Sequence, residues 1–155
     1  MKTMPVDKYF TDAFLNLNAA NKETVIKSGI HRSYPYDFDA VWDAILDILQ
    51  QYAVIANISR DTGVITYVDI DGILLQKKPF SWEFPFTILV EKTEQGTRVY
   101  IYPMEELFAS TPDIVSRKYW QEVKKGFKQK QEDFLEKLSV QLEAGKRWPW
   151  LTNTN

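Results

Sequence analysis

The chain contains no cysteine and only one histidine, His31. The first absence removes disulfides, thiolate metal sites and a cysteine nucleophile. The second leaves imidazole chemistry with one group, and no His or Cys to share a metal with it. Basic residues do not predominate: 19 Lys and Arg stand against 21 Asp and Glu, a net charge of −2. That balance argues against a nucleic-acid partner, which wants a basic face. No apolar run approaches the ~20 residues of a membrane-spanning helix. The six glycines are scattered. No phosphate-cradling loop, nucleophile elbow or cofactor motif occurs, so neither a cofactor nor a catalytic residue is expected. Met1 to Asp12 lack the apolar core of a signal peptide. The expected location is therefore the cytoplasm, or the cell envelope or periplasm if an export signal has been removed.

What the chain does have is a set of strongly patterned segments. Its 155 residues suffice to bury about two thirds of the unfolded surface in one core. Phe80, Trp82, Phe84 and Phe86 alternate, and Ile88 and Val90 continue the same side. This predicts a strand over roughly 80–91 with one heavily apolar face. Pro85 lies within it and cannot donate a ladder hydrogen bond, so the strand is an edge there or carries a bulge.

Val6 to Leu17 has helical spacing behind Pro5, and Asn16, Asn18 and Asn21 mark a break. Thr24 to Arg32 reads as a strand weakened by Gly29. Asp37 is an expected N-cap for an amphipathic helix carrying Phe38, Val41, Trp42, Ile45, Ile48, Leu49 and Tyr52. Val54–Ser59 and Val64–Val68 flank Asp61-Thr62-Gly63 as a hairpin. Asp71-Gly72 is a second turn, with Ile73-Leu74-Leu75 beyond it. Arg98 to Tyr102 follows the turn at Glu94-Gln95-Gly96. Thr111, Pro112 and Asp113 then open a helix of about 33 residues, with the stripe Val115, Tyr119, Val123, Phe127, Phe134, Leu138 and Leu142. Gly126 is its weak point, and Gly145 with Pro149 is its expected stop.

The order is strand, helix, antiparallel meander, long helix. It predicts an α+β protein: a helix-grip-like antiparallel sheet wrapped on a long C-terminal helix, with an extra N-terminal helix. Residues 1–21 are the N-terminal helix and lead-in, and 22–155 form a single domain. Within it, Phe38-Asp39-Ala40-Val41-Trp42-Asp43-Ala44-Ile45, followed by a strand and the turn Asp61-Thr62-Gly63-Val64-Ile65, resembles a module of bacterial envelope lipoproteins. The repeated domains of lipoprotein component C of the outer-membrane β-barrel assembly machinery show this pattern. The resemblance implies a non-catalytic, envelope-associated accessory module that binds a protein or peptide. Unlike that family, the chain has no cysteine to carry a lipid.

An alternative is a carrier or sensor of a small apolar ligand held between sheet and C-terminal helix. Phe80 and Trp82 would line its pocket, and Tyr100 and Tyr102 would stand at the rim. Trp148 and Trp150 flank Pro149 beyond the expected helix stop. They are candidates for a partner contact, because large aromatics at a terminus fold back onto a groove or face a partner. Asp37, Asp39, Asp43 and Asp47 lie along one helix rather than in a calcium loop, and read as a solvated face. Asp69, Asp71, Glu83, Glu105 and Glu106 are expected to be mainly solvated. Arg117, Lys118, Lys124, Lys125, Lys128 and Lys130 make a locally basic half-helix. It is either the wet face of the helix or a surface for acidic partners or anionic headgroups.

Overall fold

The computed structural model describes residues 18–69, 73–75, 78–80, 84–105 and 117–147. The described helices are α1 (Lys22–Ser28), α2 (Phe38–Leu49) and α3 (Arg117–Arg147). The described strands are β1 (Ile30–Tyr34), β2 (Ala53–Ser59), β3 (Val64–Asp69), β4 (Ile73–Leu75), β5 (Lys78–Phe80), β6 (Phe84–Thr93) and β7 (Gly96–Pro103). Five strands form one antiparallel sheet in the order β1-β7-β6-β3-β2, and β4 pairs with β5 as a separate two-stranded unit. The fold is α+β, an antiparallel sheet carrying a long C-terminal helix, as the element order implies.

Both α2 and α3 pack on one face of the sheet. Ile65 and Tyr67 of β3, Phe86, Ile88 and Val90 of β6, and Val99 and Ile101 of β7 alternate toward them. Phe127 of α3 meets Phe86 edge-on, with ring centroids 5.5 Å apart, and Phe134 lies 6.4 Å from Tyr67. Val123, Phe127, Phe134 and Leu138 are fully buried. The intervening residues Val64, Leu89 and Tyr100 face the other way, where Val25 of α1 covers them. Both faces of the sheet are therefore buried over part of their area, and all six residues of β3 are buried.

Local chemistry explains most boundaries. The Asp37 carboxylate accepts from the Ala40 N–H at 2.9 Å and caps α2. Gly63 closes the β2–β3 hairpin at φ +72°, and its carbonyl accepts from Val90 N–H at 2.7 Å. A Cβ there would stand 2.2 Å from the Val90 carbonyl oxygen, so the turn seats against β6 only as glycine. Pro85 pairs with Val68 of β3, whereas the β7 ladder starts only at Phe86 opposite Pro103. Just past the end of β7, Met104 N–H donates to the Pro85 carbonyl at 2.9 Å, so the missing Pro85 N–H falls at the very end of that ladder.

The structure corrects three expectations. Residues 24–28 are helical, and the strand starts at Ile30. Asn21 caps α1 by accepting from Glu23 N–H at 2.8 Å, and Glu23 and Lys27 suit the two ends of the helix dipole. The β-branched run Thr24-Val25-Ile26 mimics a strand, but it serves to place Val25 on the sheet. The aromatic run is divided as well: Phe80 belongs to β5 and Phe86 to β6, so the four aromatics do not share one strand. Finally, α3 continues through Gly145 to Arg147. The expected helix at 6–17 and the cap at 111–113 lie outside the described residues.

The central contact has a direct test. Phe127→Ala should cost ~3–5 kcal/mol. Melting should fall by roughly 10 °C or more, at 2–4 °C per kcal/mol for a chain of this size. An unchanged melting temperature contradicts the packing of α3 on β6.

Candidate functional site

The interface between sheet and α3 is apolar along most of its length, with polar groups at fixed points. Asp69 ends β3 on the face toward α3, where it is 3% exposed, and its carboxylate lies 3.2 Å from the Lys130 ammonium. The expectation that Asp69 is solvated is therefore corrected. The alternation Ile65, Tyr67, Asp69 carries it inward before the turn begins. Tyr67, wholly buried beside it, has its pKa held well above the usual tyrosine value. Burial is the main cause, followed by the charges of Tyr52 and Asp69 and a hydrogen bond with Tyr52.

Further along α3, the Gln131 amide donates to the Ile101 carbonyl at 2.8 Å. Tyr34 Oη donates to the Leu135 carbonyl at 2.8 Å. Arg32 reaches Ser139 at 2.9 Å and Glu136 at 3.2 Å. Burial pushes the Tyr34 pKa up to about 12, against a lowering by its Ser139 hydrogen bond. These groups tie α3 to β1, β3 and β7. Chemically they form a paired carboxylate and ammonium beside a neutral phenol. Among the described residues no group of three or more His, Asp or Glu side chains is placed to hold a metal.

The candidate ligand residues are not brought together. Tyr100 is buried on the face turned away from α3, with Val25, Val64 and Leu89, and Tyr102 packs on the same cluster. They therefore do not stand at the rim of a sheet–helix pocket. Parity decides this: Val99 and Ile101 take the α3 side of β7. His31, exposed on β1, packs its ring 5.2 Å from that of Tyr100. Phe80 ends β5 opposite Ile73. Trp82, Trp148 and Trp150 lie outside the described residues, as do Asp71, Glu83 and Glu106, while Glu105 is half-buried.

Open clefts at the surface of the described residues include one at each end of α2. One of about 530 Å³ sits between the β1–α2 connection and the β6–β7 turn, lined by Tyr36, Asp37, Phe38, Asp39, Lys92 and Glu94 among others. Its charges are largely engaged with one another and with aromatic rings. Arg60 pairs with Asp39 and lies over Phe38 at 5.7 Å, and Lys92 lies 5.6 Å from the Phe38 centroid. The other, of about 600 Å³, is a groove between the end of α2 and α3, lined by Ile48, Gln51, Lys137 and Val140.

A different feature went unread in the sequence. β2 is the outermost strand beside β3, paired on one side only within the sheet. Ala53–Ser59 holds no charged residue and no proline. Val54 is 38% exposed and Ile58 47%. Exposed edges ordinarily carry lysine, proline or a strong bulge to discourage pairing. Here the one such device is the register shift between Ile55 and Asn57. The uncharged run was visible as a signal, but its edge position depends on strand order.

Comparison of the chain with known family models, curated proteins and solved structures finds no match.

Two outcomes follow from the buried polar groups. Lys130→Met alone should destabilise by ~3–5 kcal/mol, because it removes the cation that lies 3.2 Å from the buried Asp69 carboxylate. Adding Asp69→Leu should recover most of that loss in denaturant melts. Recovery failing would mean that the pair carries net stability of its own. For Tyr34, a folded-state pKa near 12 against 10 unfolded means that folding favours the protonated phenol. Its contribution is complete below pH 10 and is lost as pH rises toward 12, ~2–3 kcal/mol in all. Tyr67 acts in the same direction. Tyr34→Phe should flatten the fall of stability between pH 10 and 12, as read in urea melts across that range.

Proposed function

We propose that the protein is a non-catalytic binding module that takes an extended segment of a protein or peptide partner as an added strand beside β2. The observation that carries this reading is the uncharged, proline-free edge with Val54 and Ile58 exposed. Main-chain hydrogen bonds to such an edge supply affinity, each ~0.5–1.5 kcal/mol net, and side chains at alternate positions supply selectivity. The non-catalytic part is supported by the engagement of the buried ionisable pair Asp69–Lys130 with itself. An envelope setting is supported by the resemblance carried by Phe38–Ile45 and Asp61–Ile65. The carrier alternative draws no support from the sheet–α3 interface. There Tyr67, Phe86, Phe127 and Phe134 are in mutual ring contact.

The test is a selection of short peptides from a displayed random library against the whole chain. The expected winners are uncharged, alternately apolar sequences whose binding shifts the amide resonances of β2 and β3. Ile58→Lys, which puts an edge-guarding charge on the strand, should weaken those peptides by about tenfold or more, ~1.4 kcal/mol. Winners that bind Ile58→Lys equally well contradict the proposal.

A further inference from the structure

The two exposed apolar residues of β2 do not share a face. Val54 and Ile58 are four apart in the chain, and strict alternation would put them on one side. Pairing with β3 separates them. Val54 stands opposite Val68, Ile55 opposite Tyr67, Asn57 opposite Thr66 and Ile58 opposite Ile65. Ala56 falls in the register shift, so the alternation changes phase there. Ile65 and Tyr67 point toward α2 and α3, and Ile55 packs against the same cluster. Ile58, 47% exposed, therefore stands on the helix side of the sheet. Val54, 38% exposed, stands on the side of Val64 and α1.

The shift also shortens the edge. From Val54 to Ile58 the strand climbs only three rungs of β3, Val68 to Ile65, about 10 Å at ~3.3 Å per residue. A regular strand laid beside β2 meets these rungs one residue at a time. On the helix side it passes Ile58 and then Ile55; on the other side it passes Asn57 and then Val54. Taken from the Ile58 end, its neighbours are apolar, polar, apolar and apolar. Its direction follows from the sheet, in which every described pair of neighbours is antiparallel, the slightly more stable pairing per residue. An added antiparallel strand runs from Ile58 toward Val54.

We infer that the partner segment carries the order apolar, polar, apolar, apolar from its N-terminal end. Its first residue lies beside Ile58, an amide or hydroxyl side chain lies beside Asn57, and its last residue lies beside Val54 on the opposite face from the first. No charge is called for, since β2 offers none to pair with. An ordinary amphipathic strand, apolar on one face only, meets Ile58 and Ile55 but leaves Val54 uncovered. Side chains of neighbouring strands interact as pairs, so the fourth position separates the preferred partner from alternately apolar peptides in general. The inference rests on the edge-strand reading and adds to it a residue order and a direction.

The experiment is an NMR titration of the full chain with three peptides, each a tetrad held between threonines: Val-Thr-Val-Val, its reversal Val-Val-Thr-Val, and the alternating Val-Thr-Val-Thr. Threonine shares the branched shape and strand propensity of valine, so the peptides differ in where the apolar groups fall. Val-Thr-Val-Val should bind about threefold to fivefold more tightly than either of the others, the worth of one cross-strand apolar pair. Nuclear Overhauser contacts should join its first valine to Ile58 and its last to Val54. In Val54→Thr its advantage over Val-Thr-Val-Thr should vanish while the β2 and β3 amides still shift, and circular dichroism establishes that the variant is folded. Shifts at β2 and β3 with equal affinity for the three peptides overturn this inference and leave the edge-strand reading standing. Tighter binding of the reversal does the same, as does an advantage that survives Val54→Thr. No shift at β2 or β3 with any of the three at millimolar concentration overturns both.

Discussion

Everything in this fold depends on one insertion: the apolar stripe of α3 seated against the aromatic centre of the sheet. Phe127 meets Phe86 edge-on, Phe86 stacks with Tyr67 at 5.4 Å, and Tyr67 faces Phe134 at 6.4 Å. The chain of rings joins β6, β3 and two points of α3, seven residues or about two helical turns apart. Each such ring removes 150–250 Å² from water, roughly 4–6 kcal/mol at ~25 cal/mol per Å² before the cost of ordering. α2 then has a side to close, and Val41, Ile45, Ile48 and Leu49 complete the same cluster. The outer face, left uncovered by these helices, receives Val25 of α1.

Apolar burial holds α3 down but does not choose its register, since a shifted stripe would still bury rings. The polar contacts supply that choice. Gln131 finds the Ile101 carbonyl, Tyr34 finds the Leu135 carbonyl, and Lys130 finds Asp69. A slip by one turn would leave three buried polar groups unmet, at ~1–3 kcal/mol each and more for the charges. Thr66 Oγ1 is buried with no hydrogen-bond partner among the described residues, and nothing in the structure explains it.

Much of this was legible from residue pattern. Asp37 and the spacing behind it marked α2, Asp61-Thr62-Gly63 marked the hairpin, and Val123, Phe127, Phe134 and Leu138 marked the buried side of α3. These signals are local, so they survive without knowledge of the fold. The rest depended on neighbours. Alternation in β3 and β7 has little direction when both faces are buried, so Tyr100 and Tyr102 were assigned to the wrong side and Asp69 to solvent. A short capped helix with a β-branched centre was read as a strand because Val25 obeys the sheet it covers. The edge position of β2 follows from strand order, which no single segment encodes.

The functional picture follows from what the insertion leaves outside. The interior holds no cluster of metal-binding groups among the described residues, and its ionisable pair is engaged. Among the described residues the surface offers the β2 edge, which carries no charged residue and no proline. Native-state hydrogen exchange tests the central claim most directly. If α3 and the sheet form one cooperative core, the amides of residues 123–138 exchange only through the same global opening as those of Phe86–Val90 and Val99–Ile101, with equal free energies and equal denaturant dependence. Exchange of the α3 amides through a separate opening of markedly lower free energy, with the sheet still protected, would contradict it.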